Sequence, residues 1–265
     1  MNKVISKDGT EIAFERQGTG PAVILVDGAL CYRSFGPMAQ LAELLAPSFT
    51  VYLYDRRGRG ESNNSMPYSV EREVEDIEAL IQAAGGSTFI YGISSGACLA
   101  LEAAIKLGNM IGKLAMYEPP YNSDDAALQE WREYRRQLSE LLVAGRNGEA
   151  VVLFMQFVGT PTEAIDGMRQ APVWPMFEAV APTLAYDAAA MGEDRIAPFR
   201  RAAYVKVPAL VMDGGANHET MPFMHKSATA LARAIRHGQQ RTLEGQTHDV
   251  NLEVLAPLLV EFFNQ

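Results

Sequence analysis

With 265 residues, 48% of them hydrophobic, the chain can bury the core of one α/β domain that carries an insertion, or of two small domains. A formal net charge of −9 argues against nucleic acid or an anionic membrane surface as partner. No apolar run reaches the roughly 18 to 20 residues that a membrane-spanning helix needs.

The stretch from Met1 to Gly9 is too short and polar for a secretory signal, and two cysteines, Cys31 and Cys98, fit a reducing compartment. A soluble, cytoplasmic protein is therefore expected. Cysteine spacing offers no metal motif, and no cofactor motif, internal repeat or low-complexity segment appears.

In chain order, Thr10 to Arg16 alternates and predicts a strand exposed on one face. After a turn from Gln17 to Pro21, the continuous apolar run Ala22 to Val26 predicts a strand buried on both faces of a parallel sheet. Ser34 to Leu45 has helical spacing, with Phe35, Met38, Leu41 and Leu45 on one side. Phe49 to Tyr54 is the next strand, followed by a glycine-punctuated loop from Asp55 to Ser62. Ser69 can cap a helix marked by Val70, Val74, Ile77 and Ile81. Thr88 to Tyr91 is a strand, Ala97 to Leu107 a helix, and Lys113 to Tyr117 a strand that ends at Glu118-Pro119-Pro120.

From Tyr121 to about Arg201 no clear strand appears. Ala126 to Ala144 and Gly148 to Val158 look helical, and Trp131, Tyr134, Trp174, Met176, Phe177, Tyr186 and Met191 enrich the stretch in bulky apolar groups. Alternation resumes with a strand from Val207 to Met212 and a helix from Pro222 to Arg236. A last strand, Gln240 to Leu243, precedes a helix from Val250 to Phe263, with Leu252, Leu255, Leu258 and Phe262 as its inner stripe. Alternating strands and helices imply a mostly parallel sheet with helices on both faces, whose binding sites lie beyond the carboxyl ends of the strands.

Gly92-Ile93-Ser94-Ser95-Gly96 lies where a strand turns into a helix and matches G-x-S-x-G. A serine on such a strained turn projects its hydroxyl from the end of the sheet. Glycines two residues to either side let helix pack on strand, and the first helical N–H groups face the space where an oxyanion would form.

The order of elements resembles the α/β-hydrolase fold over nearly the whole chain. The loop Asp55 to Ser62, the elbow at Ser94, the helical stretch and the late histidine His248 carry the likeness. The resemblance implies a core of residues 1–120 and 202–265, with a helical lid, 121–201, inserted after the sixth strand. In this family the Asp55 to Ser62 loop is structural, so Asp55, Arg57 and Ser62 take no catalytic role.

The resemblance implies Ser94 as nucleophile and His248 as base, since His248 alone of four histidines follows the last strand. His218 could face the site for a substrate contact, and His225 and His237 read as solvated. For the acid, Asn217 stands where many relatives have aspartate. Glu118 resembles the acid of the subset that places it after the strand following the elbow helix, and Asp213 is the alternative. The oxyanion hole would take N–H groups of Ser95 and of Gly28 or Ala29. Relatives commonly have His-Gly where this chain has Asp27-Gly28, and an anion beside an oxyanion is unfavourable unless its own loop hydrogen-bonds it away. Asp-Gly here, Ser94 to Ala97 and Glu118 together resemble the zearalenone-type macrolide lactonases.

The activity implied is hydrolysis of a small to medium, largely apolar carboxylic ester or lactone through an acyl-enzyme. Carbon–carbon bond hydrolysis on the same triad, or ligand binding without turnover, is the alternative. Asp27 and Asn217 favour the binding-only reading, while Ser94, His248 and Glu118 count against it. A small-molecule substrate is the expected partner; oligomeric state is left open.

Overall fold

A computed structural model describes residues 2–265. Met1, which opens the segment expected to be no signal, lies outside the described residues. The strands are β1 (Asn2–Ile5), β2 (Glu11–Gln17), β3 (Ala22–Val26), β4 (Thr50–Tyr54), β5 (Thr88–Ile93), β6 (Ile111–Tyr117), β7 (Ala209–Gly214) and β8 (Gly238–Leu243). They form one sheet in the order β1-β2-β4-β3-β5-β6-β7-β8. β1 and β2 join antiparallel, and every pairing from β4 to β8 is parallel.

Around it lie α1 (Met38–Leu45), α2 (Val70–Ala83), α3 (Ser95–Leu107), α4 (Asp125–Val143), α5 (Asn147–Phe157), α6 (Thr162–Gln170), α7 (Trp174–Val180), α8 (Leu184–Ala190), α9 (Phe199–Ala202), α10 (Pro222–Ala234) and α11 (Leu252–Asn264). Successive strand residues point to opposite faces, so each central strand feeds two cores. Ile24, Val26, Ile90 and Met116 join the core that holds α2, α3 and most of the insertion. Val23, Leu25, Tyr91 and Ala115 join the core under α1 and α11. Burial on both faces is why β3 reads as an unbroken apolar run. Among the described residues, no helix is long and apolar enough to cross a membrane.

Four readings need correction. β1 was not anticipated, because its residues are largely exposed and carry no apolar pattern. The first helix starts at Met38 rather than Ser34. Tyr32 and Phe35 exchange both backbone hydrogen bonds in a tight turn, Gly36 takes φ +145°, and Pro37 precedes the helix. Ser69 stands at the N-terminus of α2 in extended backbone, but its side chain makes no capping bond. In α11 Leu259, not Leu258, completes the buried stripe.

Between β6 and β7 the chain forms only helices. Trp131, Tyr134 and Phe157 stack as their core, and the Arg195 guanidinium lies 5.6 Å from the Trp131 ring centre. Arg195 Nε donates to Pro120 O at 2.6 Å, fastening the end of the insertion to its beginning.

Candidate active site

β5 runs into Ser94, which adopts φ 56° and ψ −129°, and α3 begins at the next residue. Such a backbone costs energy for a non-glycine residue, and the surroundings hold it there. The Ser94 N–H donates to Tyr117 O at 3.0 Å. A Cβ on Gly92 would lie 2.4 Å from Gly96 O, and one on Gly96 would lie 2.4 Å from Val26 O. Both glycines are therefore dictated by backbone contact. As the first residue of α3, Ser95 has an N–H with no intrahelical acceptor.

β6 delivers Glu118 to the same edge. It has φ 46°, its N–H donates to Met212 O at 2.9 Å, and it is fully buried. His248 Nδ1 lies 2.6 Å from Glu118 Oε2, and Gly214 N–H donates to Oε1 at 2.9 Å. Asn217 Nδ2 reaches the two carboxylate oxygens at 3.2 and 3.4 Å. Asn217 is thus a donor to the Glu118 carboxylate. With Nδ1–H given to Glu118, the imidazole presents Nε2 as its acceptor. The histidine loop is fixed from below: Tyr117 Oη donates to Thr247 O at 2.5 Å, and Ala216 N–H to Gln246 O at 3.0 Å.

Asp213 points elsewhere. Its Oδ2 lies 2.7 Å from His218 Nε2 and 3.0 Å from His225 Nδ1, and its Oδ1 accepts from Gln240 Nε2 at 2.6 Å. His218 and His225 therefore face Asp213. His218, read as able to face the site for a substrate contact, instead meets this carboxylate, and His225 stays partly exposed, as expected, while also meeting it. His237 is exposed, as expected.

The loop after β3 lies against Ser94: a Cβ on Gly28 would be 3.3 Å from Ser94 Cβ and 3.9 Å from its Oγ. Asp27 is buried, and its Oδ1 accepts the Gly28 N–H at 3.0 Å. That bond turns the Gly28 N–H toward the carboxylate, whereas the Ala29 N–H has no hydrogen-bond partner among the described residues. Burial pushes the Asp27 carboxyl up to about 7, with Arg59 and the Gly28 N–H opposing the rise.

Sequence reasoning missed the buried charge network behind this loop. Arg59 Nη1 donates to Gly28 O at 2.5 Å, and Arg56 Nη1 to Asp27 O at 3.3 Å. Asp187, from α8 of the insertion, binds Arg56 at 2.6 Å, Arg59 at 2.7 Å and Ser95 Oγ at 2.7 Å. Burial pushes the Asp187 carboxyl up, but Arg59, Arg56 and Ser95 outweigh it and hold it below its ordinary value. Glu73 and Asp76 of α2 pair Arg56 and Arg57. The signal lay in α2, where Glu73 and Asp76 flank the apolar positions Val74 and Ile77, and in an acid, Asp187, set among alanines.

A fold of this order with a serine elbow, a carboxylate-bound imidazole and a glycine loop beside the serine defines a class. The Alpha/beta hydrolase family matches residues 19–258, and the chain belongs to that family. An alpha/beta hydrolase from Sphaerobacter thermophilus DSM 20745 is 49% identical, with 99% of this chain and 100% of that one covered and a TM-score of 0.87. A thermophilic esterase from Thermogutta terrifontis shares the fold at 22% identity, with 99% and 97% covered and a TM-score of 0.69. An uncharacterized hydrolase, YraK, of Bacillus subtilis (strain 168) is 30% identical over 122 residues. That match takes in 44% of each protein, so the chain spans less than half the length of this curated relative.

Proposed function

We propose that the protein hydrolyses a small to medium, largely apolar carboxylic ester or lactone through an acyl-enzyme on Ser94. The observation that carries this reading is the 2.6 Å contact between His248 Nδ1 and the buried Glu118 carboxylate, at the strand edge where Ser94 stands. His248 Nε2 takes the Ser94 proton as Oγ attacks the carbonyl carbon. The resulting imidazolium is stabilised by Glu118. As the tetrahedral intermediate collapses, the carbon–oxygen bond to the alcohol breaks and His248 protonates the leaving oxygen. Water then attacks the acyl-enzyme, giving its proton to His248, which returns it to Ser94 as the acid departs.

The N–H groups of Ser95 and Ala29 hold the oxyanion, and Gly28 contributes the close approach of its backbone. The two departures that favoured binding without turnover fit a catalytic reading. Asn217 supports the acid, and the Asp27 carboxyl is answered by its own loop and is largely neutral below about pH 7. Residues 121–201 act as a lid over the core of residues 1–120 and 202–265. The partly exposed Phe35–Phe177 pair, with ring centres 5.2 Å apart, joins core to lid.

Wild-type protein assayed on short p-nitrophenyl esters, thioesters and a lactone panel is expected to turn over at least one of them. Silence across the whole panel would overturn the reading.

A further inference from the structure

We propose that Asp213, His218 and His225 form a binding site for a divalent transition-metal ion of the zinc type. The site is separate from Ser94, and the proposal does not rest on the hydrolytic reading. One ligand atom from each of the three residues lies within 4.8 Å of the others. Both imidazoles converge on a single carboxylate oxygen, Asp213 Oδ2, at 2.7 and 3.0 Å. Metal–ligand bonds of about 2.0–2.1 Å in a tetrahedron place the ligand atoms about 3.3 Å apart. These contacts need to open by only about 0.3–0.6 Å to admit the ion.

Charge separates this cluster from its neighbours. Four other buried carboxylates meet guanidinium groups: Asp55 has Arg33, Glu73 has Arg56, Asp76 has Arg57, and Asp187 has Arg56 and Arg59. Of the remaining two, Glu118 pairs with a single histidine and Asp27 has no ion-pair partner among the described residues. Asp213 is fully buried, yet its ion-pair partners are two histidines, which carry no permanent charge. A buried carboxylate requires a compensating charge, and a bound cation supplies one.

The carboxylate is also oriented as a metal ligand is. Gln240 Nε2 holds Oδ1 at 2.6 Å, Thr242 Oγ1 reaches Oδ1 and Oδ2 at 3.2 and 3.3 Å, and both imidazoles approach Oδ2. Two imidazoles and one carboxylate suit zinc, cobalt or nickel, whereas calcium and magnesium prefer oxygen alone. The His218 and His225 side chains are 39% and 42% exposed, which leaves an open side for a water ligand and for entry. No linear metal motif announces the site, because its ligands come from a strand end, a loop and a helix.

An ion here would tie the end of β7 to α10 across the loop that carries Asn217, a donor to Glu118. The test is a calorimetric Zn²⁺ titration of tag-free, chelator-treated protein. About one equivalent should bind with micromolar or tighter affinity and raise the melting temperature by several degrees. His218→Ala and His225→Gln should each weaken binding by at least about tenfold; His225→Gln keeps an N–H for Asp213 and so guards against misfolding. Co²⁺ bound to the wild type should show visible absorption that one equivalent of Zn²⁺ abolishes. No saturable binding by the wild type, or equal binding by both variants, would overturn the proposal.

Discussion

Glu118→Gln is expected to lower kcat/KM on an activated ester by about 10,000-fold, the size of loss seen when a triad acid becomes its amide. Three donors converge on the Glu118 carboxylate: the Gly214 N–H, Asn217 Nδ2 and His248 Nδ1. A glutamine must place its own NH₂ against at least one of them. The Gly214 N–H cannot change and keeps the amide oxygen at the Oε1 position, so the NH₂ faces the imidazole. The imidazole can change, by shifting its proton to Nε2, and it then has no lone pair left for the Ser94 hydroxyl. Loss of the negative charge also removes support for the imidazolium. Asp213→Asn, by contrast, should leave the rate within an order of magnitude, because Asp213 faces His218 and His225. Steady-state kinetics on the two purified variants decide the matter. A collapse in Asp213→Asn with Glu118→Gln intact would move the acid to the later loop.

The second large effect is on stability. Asp187→Ala should destabilise the fold by about 3–5 kcal/mol, the usual consequence of removing one partner from a buried ion pair. The carboxylate is 2% exposed and serves Arg56, Arg59 and the Ser95 hydroxyl together. Alanine would leave two guanidinium groups short of negative charge at the junction of insertion and core. In a chain of this size the melting temperature should fall by roughly 10 °C. Because Arg59 holds Gly28 O and Arg56 holds Asp27 O, ester turnover should also fall at temperatures where the variant is still folded. Thermal unfolding followed by circular dichroism checks the first part. An unchanged melting temperature would mean that the network contributes little.

What was legible in the sequence follows from physics that is local in the chain. The serine elbow could be read because backbone contact forces glycine at positions 92 and 96. The parallel sheet could be read because strands alternate with helices and because β3, buried on both faces, is apolar throughout. Glu118 was weighed from its place at a strand end, but its partnership with Asn217 joins two loops far apart in sequence. Asn217 therefore read as a loss when it is a support. The partners of the arginines at 56, 57 and 59 were not legible for the same reason. A basic run next to glycines resembles a solvated loop until the acids that bury it, Glu73, Asp76 and Asp187, are brought in from two other elements. His218 and His225 belong together only once α10 is folded against β7.

Covalent labelling of Ser94 tests the central claim most directly. Wild-type protein incubated with a fluorophosphonate should gain one adduct by intact-mass measurement, mapped to the peptide carrying Ser94, while Ser94→Ala gains none. An unlabelled wild type, or an adduct that persists in Ser94→Ala, would contradict an acyl-enzyme on this serine.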